Sequence, residues 1–315
     1  MGLVTATQLA RRGASVVLAA RGAEALERAA AEVEAAGGRA LAVATDVADW
    51  EEVEALADRA VEAFGRIDTW VNGAAVSAYG LVDDLPVEEI RRVIEIDLIG
   101  HVHGIKAALA QMRRQGGGTI IGISSGLGAR AVPLQAPYCA AKAGVIGLMD
   151  ALRVELEHAR AGIRVTTILP SSINTPLFDN ASSKLGVRPA PIPPVYRPEA
   201  VADAILYAAE HPVRDIVVGG GAKALTLTQR LAPRLTDRML LFAGQGFTRQ
   251  RSDRADAIGR GNVFEPGKAN AATGSYGRFA LRGYVYTRLL EYHPNRRRAL
   301  VAGLVAGALA ARRRR

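Results

Sequence analysis

Thr119-Ile120-Ile121-Gly122-Ile123-Ser124-Ser125, followed thirteen residues after the second serine by Tyr138-Cys139-Ala140-Ala141-Lys142, is the stretch from which the rest of this chain can be read. Residues 119–123 are an apolar run of strand length, so Ser125 is expected just past the carboxyl end of a buried strand. In open α/β sheets, ligands bind at that end. Tyr138 and Lys142 are four apart, so on a helix they share a face and the ammonium sits close to the phenol. A nearby cation favours phenolate, and the spacing therefore predicts a Tyr138 pKa lowered from about 10 toward working pH, suited to general acid or base work. Taken by spacing alone, the same pair also fits a solvated helix face.

Outward from this stretch, strand and helix patterns alternate. Toward the N-terminus the order is a helix over 3–12, a strand over 14–20 closed by Arg21-Gly22, and a helix over 23–36. A strand over 39–45 ending at Asp46-Val47, a helix over 49–64, a strand over 67–71 ending at Asn72-Gly73-Ala74-Ala75 and a long helix over 86–113 follow. Toward the C-terminus come a helix over 137–160, a strand over 163–169 ending at Pro170, a helix over 198–210 and a strand at 216–218. This alternation predicts the α/β class: a doubly wound parallel sheet with helices on both faces, joined by right-handed crossovers. The segment from Ser171 to Pro194 holds five prolines and no periodicity, which fits either a substrate-shaping lid or a flexible surface excursion.

The chain has 315 residues and is 49% hydrophobic, enough for a sizeable core. Its one cysteine, Cys139, excludes an internal disulfide framework and fits a reducing, cytoplasmic setting. No Cys/His cluster has metal-ligand spacing, so no metal site is expected, and no secretion pattern opens the sequence. The net charge of +9 is uneven: residues 230–315 carry 18 Lys and Arg against 5 Asp and Glu, leaving 22 against 26 for residues 1–229. The body therefore gives no reason to expect specific nucleic-acid binding. His101, His103, His158 and His211 have no partner pattern and read as ordinary helix residues.

Asp46-Val47, Asn72-x-Ala74, Ser125, Tyr138-x-x-x-Lys142 and Pro170 to Thr175, in this order after successive strands, resemble the short-chain dehydrogenase/reductase family over residues 1 to about 222. Ala136-Pro137-Tyr138-Cys139-Ala140-Ala141-Lys142 and Asp150-Ala151-Leu152-Arg153-Val154-Glu155-Leu156 are dense matches. The resemblance implies a Rossmann-type, three-layer fold and hydride transfer between NAD(P)(H) and a carbonyl or secondary alcohol. It gives Tyr138 the proton transfer, Lys142 the tuning of Tyr138 and the nicotinamide ribose, and Ser125 the substrate oxygen. Asp46 and Val47 would flank the adenine and Asn72 the adenosine ribose. Pro170, Ile173 and Thr175 would belong to the nicotinamide and pyrophosphate side. Asp46 also fits a helix N-cap and Asn72 a turn residue. Arg21 stands where an acid would select the 2′-hydroxyl of NAD, so NADP is expected over NAD, with a solvated surface arginine as the other reading.

Two departures stand out. The family opens with a strand and a Thr-Gly-x-x-x-Gly-x-Gly turn, of which Gly2 matches the last glycine only. The expectation is a sheet lacking its central first strand, with the true start upstream, though the helix at Gly2 could still offer N–H groups to a phosphate. Asp97 stands where the family usually has an asparagine holding a proton-relay water, and it would place a negative charge near Lys142. Asn72-Gly73-Ala74-Ala75 and Pro170-Ser171 differ by small residues from the usual Asn-Asn-Ala-Gly and Pro-Gly.

Residues 223–315 form a basic extension: a helix over 223–242, a loosely ordered linker over 244–280, and an apolar segment from Ala299 to Ala311 between arginine clusters. That segment is short of the roughly 20 residues that span a bilayer, and fits a membrane-surface or partner-docking helix. The resemblance implies a homo-oligomer formed through helices 86–113 and 137–160. The reading from another class is a non-catalytic scaffold or membrane-recruited binding protein with an impaired cofactor site.

Overall fold

The computed structural model describes residues 1–242, 250, 259–267 and 271–293. Six principal strands form: β1 (Ser15–Ala20), β2 (Arg39–Ala44), β3 (Thr69–Asn72), β4 (Gly118–Ile123), β5 (Ile163–Pro170) and β6 (Asp215–Val218). The connecting helices are α1 (Gly2–Ala10), α2 (Ala23–Ala35), α3 (Trp50–Phe64), α4 (Val87–Ile94), α5 (Gly100–Gln115), α6 (Ala136–His158) and α7 (Glu199–Glu210). Every pairing among the six strands is parallel.

β4 shows why the sheet is covered on both sides. Successive side chains of a strand point to opposite faces. Ile120 packs with Val145, Met149 and Met112 of α6 and α5, while Ile121 and Ile123 pack with Val201 and Ile205 of α7. Both faces are apolar, as a doubly wound parallel sheet requires. Local signals set the helix ends: the Asp49 carboxylate accepts the Glu52 N–H at 3.0 Å and caps α3. The N-cap reading of Asp46 is thereby corrected, because the cap lies three residues on.

The sheet is in two pieces. Among the described residues, β1 pairs with β2 alone, and β3 is the outer strand of the order β6-β5-β4-β3. Between them lies a cavity of about 1030 Å³, lined by Val16 to Leu18 on one side and Thr69 to Asn72 on the other. This is where the family order has its central strand.

Three expectations for the later chain are corrected: the flexible-excursion reading of residues 171–194, the single helix over 223–242, and the loose linker in its described parts. The segment after β5 is structured: Ser172–Ile173 pairs with Val195–Tyr196, Ser182–Ser183 pairs with Ala78–Tyr79, and Leu177–Asn180 makes one helical turn. Its backbone finds partners that apolar periodicity does not reveal. The single helix over 223–242 is two, α8 (Gly220–Leu231) and α9 (Pro233–Leu241), because Pro233 cannot donate into a continuing helix. The described parts of the linker pack on the body: Ala280–Leu281 extends the Val195–Tyr196 pairing, and Tyr276 donates from its N–H to Asn174 and from its hydroxyl to the Pro189 carbonyl. Thr287, fully buried, donates to the Val217 carbonyl and accepts from the Gly219 N–H. The Ala299–Ala311 segment lies outside the described residues. No described helix is long and apolar enough to cross a membrane.

Candidate active site

Ser125 follows β4 and caps the one-turn helix Gly126–Ala129, its hydroxyl accepting the Leu127 N–H at 3.1 Å. Tyr138 and Lys142 project from the first two turns of α6 and are buried. Lys142 Nζ donates to the Ile123 carbonyl at 3.1 Å, lies 3.7 Å from Asp97 Oδ2, and stands 5.6 Å from the centre of the Tyr138 ring. The solvated-face reading of the pair is excluded by its burial. Ser124, beside Ser125, donates to the Lys142 carbonyl at 2.7 Å and ties the strand end to α6.

Asp97 is fully buried on a π-helical turn, Glu95–Ile99, that joins α4 to α5. Such turns widen the helix by one residue and recur at functional sites. Asp97 Oδ1 accepts the Val76 N–H at 2.8 Å, while Oδ2 has no hydrogen-bond partner. Burial pushes the Asp97 carboxyl up to about 6 against the opposing pull of Lys142, and the same burial lowers Lys142. The expected lowering of Tyr138 is corrected: burial raises it, the Asp97 charge raises it further, and the Ser125 hydroxyl pulls it back. The Lys142 charge is committed to Asp97 and to the Ile123 carbonyl, so helix spacing alone gave the wrong sign.

The remaining predicted residues divide by place. Gly2, Arg21, Asp46, Val47 and Asn72 all line the 1030 Å³ cavity, Gly2 as the first residue of α1. Asp46 Oδ1 accepts the Ala48 N–H at 3.0 Å, and its other oxygen pairs with Arg92. Pro170, the last residue of β5, and Ile173 and Thr175 just after it are buried. Asn72 Oδ1 accepts Trp70 Nε1–H at 2.9 Å, and its Nδ2 is buried without a partner. His101, expected to be an ordinary helix residue, is buried against the cavity with Nε2 unpaired, and burial together with the Lys142 charge holds it well below the usual imidazole range. It lies one helical turn after Asp97, a spacing that could have flagged it.

Gly104 keeps this arrangement possible. A Cβ there would stand 2.0 Å from Asn72 Oδ1 and 2.7 Å from Trp70 Nε1. Gly104→Ala is expected to displace Asn72 and cost about 2 kcal/mol by overpacking. Urea denaturation checks this, and an unchanged midpoint would contradict it.

The residues at the carboxyl ends of β1, β2 and β3, Arg21, Asp46, Val47 and Asn72, fit a dinucleotide, because ligands of open α/β sheets bind at that end, and the Asn72 amide nitrogen among them is buried without a partner. The sequence profile of the short chain dehydrogenase family matches residues 1–186. The chain belongs to the short-chain dehydrogenase/reductase family. It is 38% identical to the uncharacterized oxidoreductase YxnA of Bacillus subtilis over 99% of this chain and 88% of that one, a match that runs through the basic extension. It is 39% identical to the cis-4-hydroxycyclohexanecarboxylate dehydrogenase of Sinomonas cyclohexanicum over 71% of this chain and 93% of that one. The crystal structure of a short-chain type dehydrogenase/reductase from Mycobacterium marinum superposes with a TM-score of 0.61 at 31% identity, covering 70% of this chain and 90% of that one. This short-chain dehydrogenase/reductase is therefore an oxidoreductase of a family that uses NAD(P), with a small-molecule substrate.

Proposed function

We propose that this enzyme interconverts a carbonyl and a secondary alcohol with NADP(H), using Tyr138 as general acid in reduction and general base in oxidation. The observation that carries the reading is the buried set Ser125, Tyr138, Lys142 and Asp97, gathered at the carboxyl end of β4. A bound nicotinamide dinucleotide supplies or accepts the hydride. Ser125 holds the substrate oxygen against the Tyr138 hydroxyl, and Tyr138 passes its proton to that oxygen as negative charge develops there. Lys142 fixes the phenol from the ring face and, with Asp97, completes a buried ionisable path by which the proton is replaced. Pro170, Ile173 and Thr175 hold the nicotinamide side, and Asp46, Val47 and Asn72 the adenosine side.

NADP is favoured because neither Arg21 nor Gly22, at the end of β1, is an acid that would select a free 2′-hydroxyl. Competition between NADPH and NADH in steady-state reduction of a panel of cyclic ketones tests both the reaction and the preference. Turnover with neither cofactor on any carbonyl would overturn the reading.

Asp97 makes a further claim testable. Its charge raises Tyr138, so Asp97→Asn should move the acidic limb of kcat/KM for alcohol oxidation to lower pH, because the phenolate then forms more readily. A limb that stays in place or moves upward would remove Asp97 from the proton path.

A further inference from the structure

The basic extension reaches the sheet end at two places. Asn262, Val263 and Glu265 offer their carbonyls to the Arg21 guanidinium at the end of β1. Residues 274–281 reach the segment after β5, which carries Ile173 and Thr175. There the Gly274 N–H donates to the Asn174 carbonyl at 3.2 Å, and a Cβ on Gly274 would collide with the Thr175 carbonyl. Ser275 donates to both oxygens of Asp179, from its N–H at 3.0 Å and from its hydroxyl at 2.6 Å. Tyr276 donates from its N–H to the Asn174 side-chain oxygen at 2.9 Å and from its hydroxyl to the Pro189 carbonyl at 2.7 Å. Its ring meets Phe178 edge to face at 6.1 Å, and both pack with the fully buried Tyr79.

These contacts bear on the site through the helical turn Leu177–Asn180. Leu177 packs against the cluster that holds Tyr138, Val76 and Ile96, while the next two residues, Phe178 and Asp179, are held by Tyr276 and Ser275. Where a loop closes only when ligand arrives, the cost of ordering it is subtracted from affinity. Here the segment is already ordered by contacts from the extension. We propose that Ser275 and Tyr276 are positioning residues: they clamp the segment after β5 against the Tyr138 cluster, so that Ile173 and Thr175 stand ready for the nicotinamide side of the dinucleotide before it binds. This rests on the dinucleotide reading above. Both residues lie outside the segment matched by the family profile, so the clamp is supplied by the extension rather than by the matched segment.

The test uses the full chain and a double variant, Ser275→Ala with Tyr276→Phe, which removes two hydroxyls and keeps the backbone contacts and the ring. NADPH binding is followed by calorimetry, and the segment by limited proteolysis with and without NADPH. The parent should be cut slowly within 171–194 in both conditions. The variant should be cut there about tenfold faster without NADPH and as slowly as the parent when saturated, with cleavage elsewhere unchanged. Its NADPH affinity should fall by about fivefold, because a site that is closed for only a fraction of the time binds more weakly by that fraction. Protection restored by NADPH separates positioning from a general loss of stability, which would speed cleavage at all sites. If the variant binds NADPH as the parent does, or is cut within 171–194 at the parent's rate, the clamp is overturned while the dinucleotide reading stands. If the parent binds no NADPH, the dinucleotide reading falls and the positioning role falls with it.

Discussion

Tyr138→Phe is expected to lower kcat for carbonyl reduction by at least about a hundredfold while leaving dinucleotide affinity unchanged. A positioned general acid contributes roughly 10²–10⁴ to rate, and the substitution removes one oxygen from a side chain that keeps its place in the core. The phenol packs with Val76, Leu85 and Ile96, so the phenylalanine ring has the same walls and the fold has no reason to change. Loss confined to kcat marks an interaction made only in the transition state. Equal turnover by the variant would mean that another group delivers the proton, and His101 would be the first to examine.

Lys142→Met is expected to destabilise the fold by about 3 kcal/mol at pH 8, because it strands Asp97 as a buried carboxylate without its counter-charge. The sign with pH follows from Asp97. Its folded pKa is already raised from 3.8 to about 6, so the folded state binds a proton more tightly than the unfolded state. This carboxyl therefore costs stability as pH rises from about 4 through its folded value, and removing Lys142 raises that value further. The deficit of the variant should be small at pH 5, where Asp97 takes up a proton, and full at pH 8. Urea midpoints at the two pH values measure it. An equal deficit at both would show that the loss comes from packing of the methylene chain rather than from the stranded charge.

The parts of this molecule that were legible in the sequence are those written as periodicity. Ile120, Ile121 and Ile123 alternate between two helical layers, and that alternation announces a strand covered on both faces. The four-residue step from Tyr138 to Lys142 announces a shared helix face. What was not legible comes from chain segments distant in sequence. Helix spacing sees Lys142 beside Tyr138 but cannot see that Asp97 arrives from the π-helical turn and burial removes water from all three, which reverses the predicted pKa direction. Residues 260–267 fall in a stretch whose composition predicts a loose linker, because their contacts are backbone carbonyls, one buried valine and glycines in close approach, none of which has a period. Arg21 was placed correctly at the end of β1, but its partners come from a part of the chain whose composition suggests disorder.

The account as a whole depends on a nicotinamide dinucleotide lying across the carboxyl ends of β1, β2 and β3 and reaching Tyr138. The most direct measurement is a fluorescence titration of NADPH against the full chain, in parent and Gly104→Ala forms. The account predicts saturable, one-to-one binding by the parent and weaker binding by the variant, in which Asn72 is displaced. Absence of saturable binding by the parent, or equal binding by both, would contradict it.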